Sequence, residues 1–468
     1  MNLISFLRCF ILLGMLATAA EAQPTVTILY SFSSTSGNAG YHPRAGLVEA
    51  PDGNYYGVAY QGGGNGAGTI YEMIPGGIVT DVLNFSTGTT GGEPSAPLIV
   101  GKDGNLYGEA LGGTYFEGTV FEFTTTNHTI NNFYSFISPA GNTPEGPMLQ
   151  GQDGNFYGVT EDSATFGYEG TVYKLQTNGT ITTLYSFTQT NGVINTNGFE
   201  PESGLVQGPD GVLYGTTLAG GTSTANSGNG VGTIFKITTN GLFQTMWSFN
   251  GTNGNTPENV PLIFGPDGNL YGTTFSGGTN QNGGTIFRIS PSGNFASLVS
   301  LNPNTQGAQV EGGLLLGKDG NFYGTTVGGD GIIFELDTNG NFTTLYQFGQ
   351  SDFDGSEPRG TLIQGSDGNI YGTTVNGGTN NVGTIFELNL APSSQEPVIL
   401  SEVPTDQTLT LTWSSVNNQN YQLQFCTDLV LSNWTNLGPE VTATGTTASG
   451  TDNISTNAQR FYRVLQVP

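Results

Sequence analysis

Apolar and polar positions alternate in short runs along most of the chain, and the runs recur. Residues 261–301 resolve into "PLIFG", "NLYGTT", "GTIFRIS" and "NFASLVSL", five to eight residues each, separated by Pro, Gly, Asn and Asp. Runs rich in β-branched and aromatic side chains and bounded by turn formers predict strands, here called A to D. A and B are joined by "PDGN" and C and D by "SPSGN". Links this short demand antiparallel hairpins, and Asp-Gly supplies the positive φ angles expected of a two-residue turn.

The unit returns with its Asp at Asp52, Asp103, Asp153, Asp210, Asp267, Asp319 and Asp367, spaced 48 to 57 residues apart. Such a period of short strands marks a propeller or other repeat array, whose units are each too small to bury a face alone. The array opens with a D-type strand, "TVTILYSF" (25–32), that no A, B or C precedes. It closes with A, B and C of a last unit, through "GTIFEL", and no D. A ring in which the opening strand completes the last unit uses both fragments and hides the sheet edges. The expected fold is therefore all-β: a seven-bladed β-propeller over residues 23–390, with the N-terminal strand closing the last blade. The recurring Tyr56, Tyr107, Tyr157, Tyr214, Tyr271, Tyr323 and Tyr371 are expected to fill the gaps between sheets, since a residue present in every unit serves what every unit needs.

The unit "G-x-DGN-x-YGTT...GG...GTIF-x-(L/I)...G...LYSF" resembles the GloVer tandem repeat of secreted bacterial proteins over about four-fifths of the chain. The resemblance implies a repeat fold and carries no catalytic residues with it. Beyond a polar linker at 391–396, residues 397–468 change pattern to "TLTLTWSS", "NYQLQFCTD", "NWTNLG" and "QRFYRVLQV". These read as a small fibronectin type III-like β-sandwich with Trp413 and Trp434 as core anchors.

Composition narrows the function. The 74 Gly and 22 Pro would suggest disorder without the period. Residues 1–22, with Arg8, the apolar "CFILLGMLATAA" and Ala20-Glu21-Ala22, fit a signal peptide. The mature product is then secreted, extracellular or at the cell surface, with the periplasm as an alternative. No later run reaches the roughly 18 apolar residues of a membrane span. Cys9 leaves with the signal, so Cys426 has no partner for a disulfide. A formal charge of -26 disfavours nucleic acid and anionic lipid as partners. With two His, and without G-x-S-x-G or HExxH stretches, Ser-His-Asp and multi-His zinc chemistry is not expected.

Hairpin alternation puts the A–B and C–D turns on one face and the B–C and D–A links on the other. The first two are tight throughout, whereas B–C links run from "VGGDG" to "LAGGTSTANSGNGV". Variable loops on a rigid scaffold are where binding concentrates. Candidate contacts there are Tyr115, Phe116, Phe166 and Tyr168 in B–C links, and Phe353 between Asp352 and Asp354 in a D–A link. Glu93, Glu200 and Glu357, with Glu145, Glu202, Glu258 and Glu311 in a drifting register, recur near the start of strand A, with His42 at the matching place in the first unit. Aromatic rings beside amides and carboxylates suit a sugar, whose apolar face stacks while its hydroxyls bond. No cofactor is expected, although oxygen ligands of this kind leave calcium open. The function expected is a non-enzymatic binding or scaffold protein for a glycan or an extracellular, cell-surface protein. A polysaccharide lyase or glycoside hydrolase using loop carboxylates or Tyr is the alternative, and a structural envelope protein the second.

Overall fold

A computed structural model describes residues 24–34, 39–88, 90–137, 141–162, 169–188, 195–223, 230–257, 261–351, 353–390, 397, 399–404, 408–415, 419–427, 434–445, 447–453 and 460–467. The chain separates into two compact units, with the division at Leu390 and Ala391. No described residue is helical, so no helix is long and apolar enough to cross a membrane.

Among the described residues, Pro24–Leu390 holds seven four-stranded antiparallel sheets in the order A-B-C-D. In the last of these, Ile363–Gln364, Ile370–Thr374 and Thr384–Asn389 are joined by Thr25–Ser31, which pairs Ile28 with Phe386 and Ser31 with Thr384. Sheets seven and one then meet directly: Thr373 Oγ1 donates to Ala45 O at 2.9 Å, and the Tyr55 and Tyr371 rings lie 4.9 Å apart. These contacts close the ring, the architecture of a β-propeller.

Strand B shows why the sheets stack. All five of its residues are buried in every repeat, as in Leu270–Thr274, because both faces are covered. Its central Gly is required. A Cβ on Gly272 would fall 2.6 Å from the Phe287 ring paired opposite it, and on Gly57 2.3 Å from Tyr71. Between sheets, Tyr107 packs on Phe156 at 4.5 Å and Tyr271 on Phe322 at 4.3 Å. Strand D carries a β-bulge against strand C in all seven sheets, Thr25–Ser31 included. Bulges of this kind sharpen the twist of an outer strand.

Three details depart from the sequence reading. Strand A is only two residues long, as in Ile263–Phe264. The A–B turn is a three-residue loop rather than a two-residue one: Gly268 N donates to Gly265 O at 3.0 Å, Gly265 N donates to Asn269 O at 2.8 Å, and only Gly268, at φ 75°, is left-handed. This is a type I turn closed by a Gly bulge. The Asp works through its side chain instead. Asp267 Oδ1 accepts the Asn269 N–H at 3.1 Å while Oδ2 accepts the Tyr271 hydroxyl at 2.9 Å. The recurring Tyr is therefore core and hydrogen-bond donor at once.

A third partner sits on strand C. It is basic in repeats three to five, where Lys174 reaches Asp153 at 2.9 Å and Arg288 reaches Asp267 at 3.6 Å. In repeats one, two, six and seven it is Glu72, Glu122, Glu335 or Glu387, set beside another acid. Burial and then the charge of Asp319 hold the Glu335 carboxyl above its ordinary range, while Asp267, bonded by Asn269 and Tyr271 and facing Arg288, is held below it.

The C-terminal unit has two antiparallel sheets around one core of Leu409, Leu411, Trp413, Tyr421, Leu423, Ala443 and Val464. Trp434 is outside that core, contrary to expectation. It lies half-buried with the Arg463 guanidinium 4.4 Å from its ring.

Two outcomes test this account. Phe32, fully buried just past the closing strand, should cost about 3–5 kcal/mol when replaced by Ala, read by denaturant unfolding. Glu335→Lys, which copies repeats three to five, should raise stability at pH 7 by about 0.5–1 kcal/mol, and a lower melting temperature would show that the Asn321 bond to Glu335 matters more.

Candidate functional site at the loop face

The joint between successive repeats builds this face. One residue per repeat, His42, Glu93, Thr143, Glu200, Thr256, Gln309 or Glu357, is left-handed, with φ between 53° and 61°. Each donates its N–H to the B–C link of the preceding repeat: His42 to Val382 O at 2.9 Å, Glu93 to Ala67 O at 2.8 Å, Glu357 to Asp330 O at 3.1 Å. Six of the seven precede Pro, whose ring settles over a Gly of the preceding repeat; a Cβ on Gly118 would fall 2.3 Å from Pro144 Cδ. The register drift of the acids thus has a structural meaning. Some occupy the left-handed position and others lie two residues on, where Glu145, Glu202 and Glu311 alternate with Arg44 and Arg359.

These side chains converge on the axis. The charge of Arg44, in repeat one, acts on Glu145 of repeat three and Glu311 of repeat six, which an axial position allows. The Arg44 guanidinium stacks 3.9 Å from the Tyr60 ring, whose hydroxyl donates to Glu93 Oε2 at 3.1 Å. Arg359 is paired with Glu311 and with Glu357, the latter at 3.1 Å. The charges that act on Glu161 are those of Glu145, Asp162 and Glu200, all of them acidic. Burial and then Glu145, Asp162 and Glu200 push the Glu161 carboxyl up to about 7. Burial also raises Glu145 and Glu200.

The expected contacts divide. Tyr115 and Phe116 stand out from the B–C link of repeat two, 56% and 77% exposed, and Phe353 from the D–A link into repeat seven, 65% exposed. Phe166, Tyr168, Asp352 and Glu258 lie outside the described residues. Asp354 is no loop acid open to a ligand: it is 6% exposed, and Oδ2 accepts from the Tyr346 hydroxyl at 2.9 Å and Gln350 N at 3.2 Å. Glu93, Glu200 and Glu357 come together with partners the sequence reading passed over, namely Arg44, Tyr60, Glu161, Asp162 and Arg359. Arg44 and Arg359 were visible as the two basic members of a register that otherwise holds four Glu and Ser95. Among the described residues, no group of three or more His, Cys, Asp or Glu side chains is placed to hold a metal ion.

A cleft of about 530 Å³ opens on the other face, between repeats two and three. Its polar groups are spent on the fold. Lys102 Nζ donates to Gly151 O at 2.8 Å and Gln150 Nε2 to Gly154 O at 2.9 Å, while Tyr107 donates to Asp103 at 2.8 Å. The loop face, by contrast, keeps rings and carboxylates open.

No curated protein matches the chain in sequence. Its structure is similar to a protein described provisionally as a gluconolactonase, at 11% identity and a TM-score of 0.36, over 79% of this chain and 92% of that one. It is similar to the calcium-binding protein regucalcin from Agrobacterium tumefaciens at 13% and 0.39, over 79% and 93%. A puromycin hydrolase is similar at 12% and 0.45, over 80% of this chain and 59% of the other, so the chain spans less than two thirds of that enzyme. None of these likenesses assigns an activity or a residue role. The sequence is more decisive: the Gloeobacter/Verrucomicrobia repeat matches residues 13–228 and again 221–406, and the chain belongs to that tandem-repeat family.

Proposed function

We propose that this is a secreted, non-enzymatic binding protein whose loop face takes up a glycan. The observation that carries the reading is the pairing on one face of exposed rings, Tyr115, Phe116 and Phe353, with a mouth lined by carboxylates. A pyranose offers an apolar face to a ring and hydroxyl donors to carboxylates. The crowded acids Glu145, Glu161, Asp162 and Glu200 favour a ligand that brings donors or positive charge, because each bond to a carboxylate relieves repulsion inside the cluster. Glu161 supports a second reading, a glycoside hydrolase. A carboxyl raised to about 7 within a cluster of other carboxyls is the condition of a general acid.

A glycan array probed with the mature chain separates the two. Phe116→Ala and Phe353→Ala should each weaken retention about tenfold, with the oligosaccharides recovered intact. Recovery of shortened or unsaturated sugars would replace the binding reading with the enzymatic one. The crowding has its own signature. An acid with a raised native pKa adds stability at low pH that is lost as pH rises through that value. Glu161→Gln should therefore melt with the parent protein at about pH 4 and above it at pH 8.

A further inference from the structure

Strand B of the second repeat, Leu106–Ala110, departs from the pattern at one position. Glu109 stands where the other repeats have Val58, Val159, Thr216, Thr273, Thr325 and Thr373. Three of those threonines donate across the joint to a backbone carbonyl of the next repeat: Thr216 to Pro257 O at 3.1 Å, Thr325 to Pro358 O at 2.8 Å and Thr373 to Ala45 O at 2.9 Å. The position accommodates a hydroxyl donor, although Thr273 Oγ1 is buried there with no partner. Glu109 is 1% exposed, its Oε1 accepts the Tyr173 hydroxyl at 2.5 Å, and its Oε2 is buried with no partner. Tyr173 is specialised too, since five repeats place Phe121, Phe235, Phe287, Phe334 or Phe386 there.

A carboxylate here would bury full charge against a single donor, a far larger cost than burying the neutral acid. As the acid, Glu109 accepts from Tyr173 through Oε1 and carries its own proton on the buried Oε2, so that the joint is held by the Tyr173 bond without burying a charge. We infer that Glu109 is a neutral carboxylic acid locking repeat two to repeat three, and that its ionisation loosens this joint and the adjoining loop that carries Tyr115 and Phe116.

The surroundings agree. Burial, opposed by the Tyr173 bond, pushes the acid up to about 8, and Tyr173 is itself raised by burial and by Glu109. Tyr173 is the titratable group that faces it from the neighbouring sheet. The acids of repeat three nearest the joint, Glu145 and Glu161, interact with Arg44, Asp162, Glu200 and each other instead. Because the native pKa lies above the unfolded one, the lock's stabilisation is complete below ordinary carboxylate values and is gone once pH passes the native value.

Thermal unfolding of the full mature chain between pH 5 and 9 tests this, with Glu109→Gln and Glu109→Thr beside the parent. The parent melting temperature should fall relative to both variants by roughly 2 °C per pH unit up to about pH 8, then run parallel to them. Amide protection in residues 110–118, corrected for base-catalysed intrinsic exchange, should fall above pH 8 in the parent alone. A difference in melting temperature that does not change with pH would overturn the inference, as would equal exchange in parent and variants at pH 9. Should Glu109→Gln fail to fold, Glu109→Thr, which restores the pattern of four other repeats, decides between the same two outcomes.

Discussion

The antiparallel pairing of Thr25–Ser31 with Thr384–Asn389 couples the two ends of a 367-residue unit, and the rest of the propeller leans on it. Each sheet has two apolar faces and cannot bury both except between neighbours. An open stack would leave one face of the first sheet and one of the last in water, together with an unpaired strand edge. Closure removes all three liabilities at once. It also means that no repeat is independent, since the strand that completes the seventh sheet leads directly into the first.

The same closure sets the chemistry of the loop face. Every repeat must cross to the next in a small space near the axis, so a left-handed residue and a following Pro recur at each crossing. Non-Gly residues rarely adopt that conformation, and they hold it here because each N–H is bonded to the B–C link of the preceding repeat and six of the seven C=O groups to the B–C link of their own repeat. Side chains at and just beyond the crossing have nowhere to go but the mouth. The protein places mostly carboxylates there, and their mutual repulsion is offset only in part, by Arg44 and Arg359. The opposite face is chemically quiet for the complementary reason: its Asp, Asn, Tyr, Lys and Gln side chains tie turns to strands and to the next repeat.

Much of this was legible in the chain. The seven Asp-Gly signals, the orphan D strand and the missing last D led to the ring, because strand count and hairpin alternation are local properties that the pattern of residues carries. The turn type was misread because Asp-Gly serves two turn families alike, and only the bonds of Gly265 and Gly268 distinguish them. Trp434 was misassigned because a tryptophan between polar residues reads the same on a core strand as under an arginine on a surface.

The sequence alone determined the period, the alternation of tight and variable links, and hence which face could carry function. Tertiary structure alone decided which residues meet. Arg44, Glu145 and Glu311 are separated by a hundred residues or more, and Glu109 and Tyr173 by 64, so no local pattern links them. They become neighbours because the ring brings equivalent positions of different repeats to one axis or one joint, where distance along the chain no longer measures distance in space.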